Sequence, residues 1–273
     1  MKKSLVAILL PLSIGMLLLN ACTKDSSPEM DPTIGLVKIS EGYVLGAATK
    51  AEIYSKQNAI YTGYNKFYVA LYDSASGARL EDAHIKLSPL MDMGTMKHAS
   101  PFENPSSNLA VKKLFPCSVI FIMSSMGGSW TVSMTIHNHN NNKEGSVTMP
   151  VKVIDPIKSR LHSFTSAKDG GKYFVTLIDP SSPIVGINDM EIAIYKKISM
   201  MSFPADSSLT VSNTPEMPTM GHGSPNNINP THIGNGHYKG KVNFTMTGLW
   251  KLNMDYLSGT AVADTTQFFE VQF

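Results

Sequence analysis

Along the chain, short segments alternate apolar with polar residues, and a period of two is what a strand with one buried face requires. Phe67-Tyr68-Val69-Ala70-Leu71-Tyr72-Asp73 and Tyr173-Phe174-Val175-Thr176-Leu177-Ile178-Asp179 read as strands rich in aromatic and β-branched residues. Asp82-Ala83-His84-Ile85-Lys86-Leu87 and Asp189-Met190-Glu191-Ile192-Ala193-Ile194 read the same way. Gly, Asn, Asp and Pro punctuate these runs, and no long segment repeats at 3.6 residues. The pattern predicts an all-β chain of antiparallel β-sandwiches, Ig-like in broad architecture, with alternate side chains buried between two sheets.

The pattern is written twice, and internal repeats decide domain organisation. The two strand pairs just named match one another in order. They lead to Met93-Gly94-Thr95-Met96-Lys97-His98-Ala99-Ser100-Pro101 and Met217-Pro218-Thr219-Met220-Gly221-His222-Gly223-Ser224-Pro225, which share Met-x-x-Met-x-His-x-Ser-Pro. Val119-x-Phe121-x-Met123 then matches Val242-x-Phe244-x-Met246, and Trp130-x-Val132-x-Met134 matches Trp250-x-Leu252-x-Met254. In this alignment Lys196 to Thr214 has no counterpart, so it is expected as a loop insertion. A boundary near Val153-Ile154-Asp155-Pro156 divides the repeat into two tandem domains, 41–155 and 156–273.

One run departs from the alternation. Ser4 to Leu19 is apolar, follows Lys2 and Lys3, and is interrupted by Pro11. It is shorter than the roughly 20 residues of a membrane span, so residues 1–21 read as a signal peptide. Its end, Leu19-Asn20-Ala21-Cys22, resembles the lipobox of bacterial lipoproteins. That resemblance implies lipid attachment at Cys22, with residues 22–40 as a tether. Acyl chains contribute about 0.8 kcal/mol per buried methylene, enough to hold a soluble domain on a membrane. The expected location is the bacterial cell envelope, on the outer membrane, facing the periplasm or the outside.

Composition narrows the partners. Of 273 residues, 42% are hydrophobic and 16% charged, and without Lys2 and Lys3 the basic and acidic residues balance at 21 each. A nucleic-acid binder needs an excess of basic residues to displace counterions from phosphate, so nucleic acid is excluded as a partner. With Cys22 acylated, Cys117 has no disulfide partner; it opens the apolar run Cys117-Ser118-Val119-Ile120-Phe121 and reads as a small buried hydrophobe. There is no Gly-x-Ser-x-Gly elbow, His-Glu-x-x-His, P-loop or paired carboxylate, so the chain is not read as an enzyme.

Methionine is over-represented, with 17 copies against 11 Phe and 10 Tyr. Met93, Met96 and His98, and again Met217, Met220 and His222, place two thioethers and an imidazole in one loop. These soft and borderline donors favour copper, Cu(I) above all, over oxygen-seeking Mg, Ca or Mn. No Cys stands in the motif, so it is not a blue-copper centre. Met123, Met134, Met246 and Met254 are in phase with Phe and Trp on alternating strands and are expected in the core. His232 and His237 lie near the second loop as additional candidate ligands, while His137 and His139 are expected at a surface turn. His84 and His162 read as ordinary strand and linker residues.

The stretch from Met217-Pro218-Thr219-Met220-Gly221-His222 through Gly236-His237-Tyr238-Lys239-Gly240 to Met246-Thr247-Gly248-Leu249-Trp250 resembles the YtkA-like domain, related to FixH proteins. In that family a Met/His loop precedes Gly-x-Tyr-x-Gly and Met-x-Gly-x-Trp. The first copy keeps the loop and Trp130 but lacks the Gly-x-Tyr-x-Gly segment. The Met/His loop also resembles those of periplasmic copper carriers of the CopC type. The resemblance implies a β-sandwich, an extracytoplasmic setting and a part in copper handling or oxidase assembly. The expectation is a lipid-anchored copper carrier, buffer or delivery factor, meeting a copper-donor or copper-acceptor protein. The alternative is a metal-free lipoprotein whose sandwiches serve as an interaction module.

Overall fold

A computed structural model describes residues 30–273; the signal segment, Cys22 and the start of the tether lie outside the described residues. The tether gives way to structure earlier than expected, because Val37–Val44 is already a strand paired with Thr49–Ser55.

The chain is all-β and folds as two antiparallel sandwiches. In the first, one sheet runs Val37–Val44, Thr49–Ser55, Gly63–Asp73, Phe115–Phe121, Phe102–Glu103, and the other Lys143–Val151, Ser129–Asn138, Ala83–Asp92, Lys97–Ala99. In the second, the orders are Leu161–Thr165, Lys172–Asp179, Gly186–Lys197, His237–Phe244, Ile228–Gly234, and Ala261–Gln272, Leu249–Ser258, Leu209–Met217, His222–Gly223. The alternation does what a period of two dictates: in Ser129–Asn138 every second residue, Trp130, Val132, Met134 and Ile136, points into the core. Fully burying each such side chain contributes about 1.5–3 kcal/mol. Ile53, Phe67, Leu87, Phe121 and Met134 fill the first core, and Val175, Ile192, Phe244, Trp250 and Met254 the second. Cys117 is free and buried in the first core, where desolvation pushes its thiol up to about 12.

The strand orders of the sandwiches correspond, yet not along the alignment read from the sequence. Gly63–Asp73 and Gly186–Lys197 occupy the same place, since Gly63 pairs with Phe121 as Gly186 pairs with Phe244. Both glycines have positive φ, +102° and +109°, and each precedes an identical asparagine device. Asn65 Nδ2 donates to the carbonyls of Tyr61 (2.7 Å) and Gly63 (2.8 Å) while its Oδ1 accepts from Tyr61 N–H (3.2 Å). Asn188 repeats this with Ile184 (2.8 Å), Gly186 (2.9 Å) and Ile184 N–H (2.9 Å). Lys172–Asp179 therefore corresponds to Thr49–Ser55, not to the strand holding Phe67. Leu209–Met217 corresponds to Ala83–Asp92, so Lys196 to Thr214 is no insertion. Alternation reports burial, not identity, and one buried strand aligns with another by pattern alone.

The two sandwiches pack as one compact unit spanning Pro32–Phe273. Ile120, Ala193 and Tyr195 form the apolar contact between their sheets, flanked by Tyr64, Leu161 and Ile178. Tyr64 N–H donates to Thr176 Oγ1 across it (3.0 Å), and Ala99 N–H donates to the Met200 carbonyl (2.8 Å).

Candidate metal centre

In the first sandwich the Met/His segment is a tight hairpin connection. Met91 pairs with His98, Met93 N–H donates to the Met96 carbonyl (2.9 Å), and Gly94 turns at φ +81°. Asp92 holds the turn by accepting from Gly94 N–H (2.9 Å) and pairing with Lys97 (2.8 Å). This places His98 inside, 4% exposed, edge-on to Trp130 with ring centroids 5.3 Å apart. His98 Nδ1–H donates to the Ala99 carbonyl (3.0 Å), and a carbonyl only accepts, so in the neutral ring Nε2 carries the lone pair. That Nε2 stands 3.0 Å from the sulfur of Met123. Met93 closes on the same spot: the Cβ position of Gly127 lies 3.5 Å from the Met123 methyl and 3.6 Å from the Met93 methyl. Met96 is 47% exposed on the outside of the turn and makes no polar contact with His98.

Met123 was expected in the core by its phase with Phe121. The strand stops at Phe121, and beyond a strand end the alternation no longer says where a side chain points. Met123 is partly buried against the first core, and its backbone is fixed by Trp130, whose Nε1–H donates to the Met123 carbonyl at 2.9 Å. It also lines a cavity of about 350 Å³ with Thr62, Asp155 and His162. Met134 and Met254 are fully buried in the cores.

The second sandwich repeats the frame in a more open form. His222 Nδ1–H donates to the Gly223 carbonyl (2.9 Å), its ring lies edge-on to Trp250 at 5.8 Å, and Trp250 Nε1–H donates to the Met246 carbonyl (3.0 Å). Met220 and Met246 are 61% and 40% exposed, and His222 Nε2 has no hydrogen-bond partner among the described residues. Met217 pairs with His222 as Met91 pairs with His98, and it is buried. The Met217 methyl lies 2.9 Å from the Cβ position of Gly248, as the Met91 methyl lies 3.1 Å from that of Gly128. Met217 is thus the counterpart of Met91, and Met93 belongs to a turn longer by two residues than the 217–222 turn. Among the described residues no three His, Cys, Asp or Glu side chains are grouped as a metal ion requires; the soft-donor contact here is the His98 imidazole with the Met123 thioether.

His237 is engaged elsewhere than its proximity in sequence suggested. Its Nε2–H donates to Glu103 Oε1 (2.5 Å) and its Nδ1–H to Glu191 Oε1 (2.6 Å), which makes it an imidazolium shared by the two sandwiches. Tyr195 OH (2.9 Å) and Tyr64 OH (2.8 Å) also donate to Glu103, and Lys239 pairs with Glu191 at 3.1 Å. The bonds to Glu103 and Glu191 hold His237 up at about 9. Burial alone would push Glu103 up, but the bonds from His237 and Tyr64 hold it below its ordinary range. His232 lies edge-on to Tyr238, and His162 lies against Phe269 with Nε2 2.9 Å from Tyr256 OH.

Solved structures similar to the chain include two from one surface-layer protein. Domains 5–6 of the S-layer protein SbsC share 14% identity over 87% of this chain and 97% of that one, with a TM-score of 0.30. Domains 4–9 of the surface layer protein SbsC share 13% over 82% of this chain and 35% of that one, with a TM-score of 0.29. No curated protein matches the chain. Residues 168–255 match the sequence model of the YtkA-like family, and the second sandwich accordingly holds a YtkA-like domain.

Proposed function

We propose that the chain is a lipid-anchored, extracytoplasmic copper-binding protein, attached through Cys22, that carries Cu(I) on two imidazole–thioether sites. The first consists of His98 with Met123 and Met93, the second of His222 with Met246 and Met220. The observation that carries this reading is the pair His98 Nε2 and Met123 Sδ at 3.0 Å. With the Nδ1 proton committed to a carbonyl, two lone pairs face each other, and a shared soft cation turns that contact into attraction. At metal–nitrogen and metal–sulfur lengths of about 2.0 and 2.3 Å, donors on a tetrahedral ion stand about 3.5 Å apart, so loading opens the pair by about half an ångström. Methionine, unbranched and flexible, is suited to that movement.

The corresponding strand orders, and the repeated His–Trp–Met frame, support reading the first sandwich as a second YtkA-like domain with kinship to FixH proteins. The exposed thioethers of the second site suit a carrier that must release its cargo to an acceptor protein. The lipobox at Cys22 supports placement on the outer membrane. Exposed Met220 and Met246 also favour the other reading, an interaction module whose methionines are contact surface.

An anaerobic Cu(I) titration of the full chain in detergent, against a competing chelator, separates the two. The wild type is expected to withhold two equivalents. Met123→Leu and Met246→Leu, nearly isosteric, should each lose one, while Met96→Leu keeps both. No competition by the wild type at any chelator concentration overturns the copper reading and leaves the interaction module.

A further inference from the structure

Outside the methionine sites, three histidines gather on the outer face of the first sandwich. His84, on Ala83–Asp92, lies directly opposite His137, on Ser129–Asn138, and His137 in turn lies opposite Glu144 on Lys143–Val151. Partners in register share a face, and the neighbours Ala83, Ile85, Ile136 and Asn138 are buried on the other one. The ladder continues one row further, where His139 N–H donates to the Asp82 carbonyl (3.4 Å). The His137 and His139 rings stand edge-on with centroids 5.1 Å apart.

Each ring has one nitrogen committed to an oxygen. His84 Nδ1–H donates to Asn108 Oδ1 (3.1 Å), His137 Nε2–H to Asn142 Oδ1 (3.0 Å), and His139 Nδ1–H to Asp82 Oδ1 (2.6 Å). The opposite nitrogens, Nε2 of His84, Nδ1 of His137 and Nε2 of His139, then carry lone pairs and have no hydrogen-bond partner among the described residues. A carboxylate or amide oxygen behind an imidazole is how protein sites fix the tautomer of a ligating histidine and raise its basicity. The second sandwich is an internal contrast: counting seven residues from the Met91–Trp130 and Met217–Trp250 rows, the positions of His84, His137 and Glu144 are held by Thr210, Leu257 and Val262.

We propose that His84, His137 and His139 form a separate site for a borderline divalent cation such as Cu(II) or Zn(II), with Glu144 supplying an oxygen and Asp82 positioning His139. Three imidazoles and a carboxylate select such ions, unlike the thioether sites, which select Cu(I). The rings as placed do not surround one point. They lie at the surface, where side chains change rotamer readily, and loading the ion requires such a rotation.

Titrating the full chain with Cu(II) alone, followed by electron paramagnetic resonance and chelator competition, tests the site. One equivalent bound through several nitrogens is expected, and His84→Ala, His137→Ala and His139→Ala should each weaken it by about tenfold or more. Asp82→Asn, which keeps the geometry but not the charge, should weaken it by about tenfold. The His98→Ala/His222→Ala variant should leave it unchanged, which distinguishes this site from the proposed Cu(I) sites. Single-nitrogen coordination, unchanged affinity in the three histidine variants, or loss of the signal in His98→Ala/His222→Ala overturns the proposal. A thermal midpoint for each variant confirms that it is folded.

Discussion

Glu103→Ala is expected to cost the folded chain about 3–5 kcal/mol at neutral pH, the toll of stripping two tyrosine hydroxyls of their acceptor and an imidazolium of one of its two carboxylates. Glu103 comes from the first sandwich and accepts from Tyr64 of the same sandwich and from Tyr195 and His237 of the second. Without it His237 keeps only Glu191, and two tyrosine hydroxyls lose their acceptor in a largely dry interface. The double variant Glu103→Leu/His237→Leu should cost less than the sum of its single changes, because it removes both charges together. Denaturant unfolding followed by circular dichroism measures all of these. Where the wild type unfolds in one transition, Glu103→Ala should show two, as the sandwiches come apart first. The pH dependence has a definite sign. His237 is raised from 6.5 to about 9, so its contribution is full below 6.5 and is lost as pH rises through about 9. That shift corresponds to about 3 kcal/mol. Glu103 and Glu191 are lowered from 4.5, so their contribution is present above 4.5 and lost as pH falls through their folded values. Stability from this network should therefore be greatest between 4.5 and 6.5. A curve flat from pH 5 to 10 would count against the clasp.

Trp130→Ala should remove about 3–5 kcal/mol, since a fully enclosed indole leaves a cavity its neighbours cannot fill. The more telling change is Trp130→Phe. It keeps most of the packing against Phe121, 5.1 Å away, but drops the Nε1–H bond to the Met123 carbonyl. About 1–2 kcal/mol of stability should go with that bond. Because the same bond positions Met123 beside His98, Cu(I) retention at the first site should fall more than stability does. Trp250→Phe should do the same at the second site through the Met246 carbonyl and leave the first intact. Equal Cu(I) retention in wild type and Trp130→Phe would show that indole and thioether act independently.

Much of the molecule was legible in its residues. A period of two gave strands because a half-buried strand must alternate, and Trp130, Met134, Trp250 and Met254 are core for that reason. His98 and His222 were identifiable from their repeated loop, and both have Nδ1 bound to the next carbonyl. The placement of Met123 and Met246 against the Trp130 and Trp250 indoles was not, since phase carries no information past a strand's last residue. A signal was present: Met-x-Gly-x-Trp at Met246-Thr247-Gly248-Leu249-Trp250 puts the methionine in the connection before the Trp strand. Alternation alone mispairs the first two strands of the repeat, for which Gly63-x-Asn65 and Gly186-x-Asn188 are the distinctive match.

Alternation and turn residues alone therefore determined an all-β sandwich architecture, because burial of one strand face is a local requirement that each segment states for itself. Which strand stands beside which, and so which donors meet, is set by pairing between residues far apart in the chain. His237 joins Glu103 rather than the second loop, and His84, His137 and Glu144 line up across three strands, only because tertiary packing fixes that register.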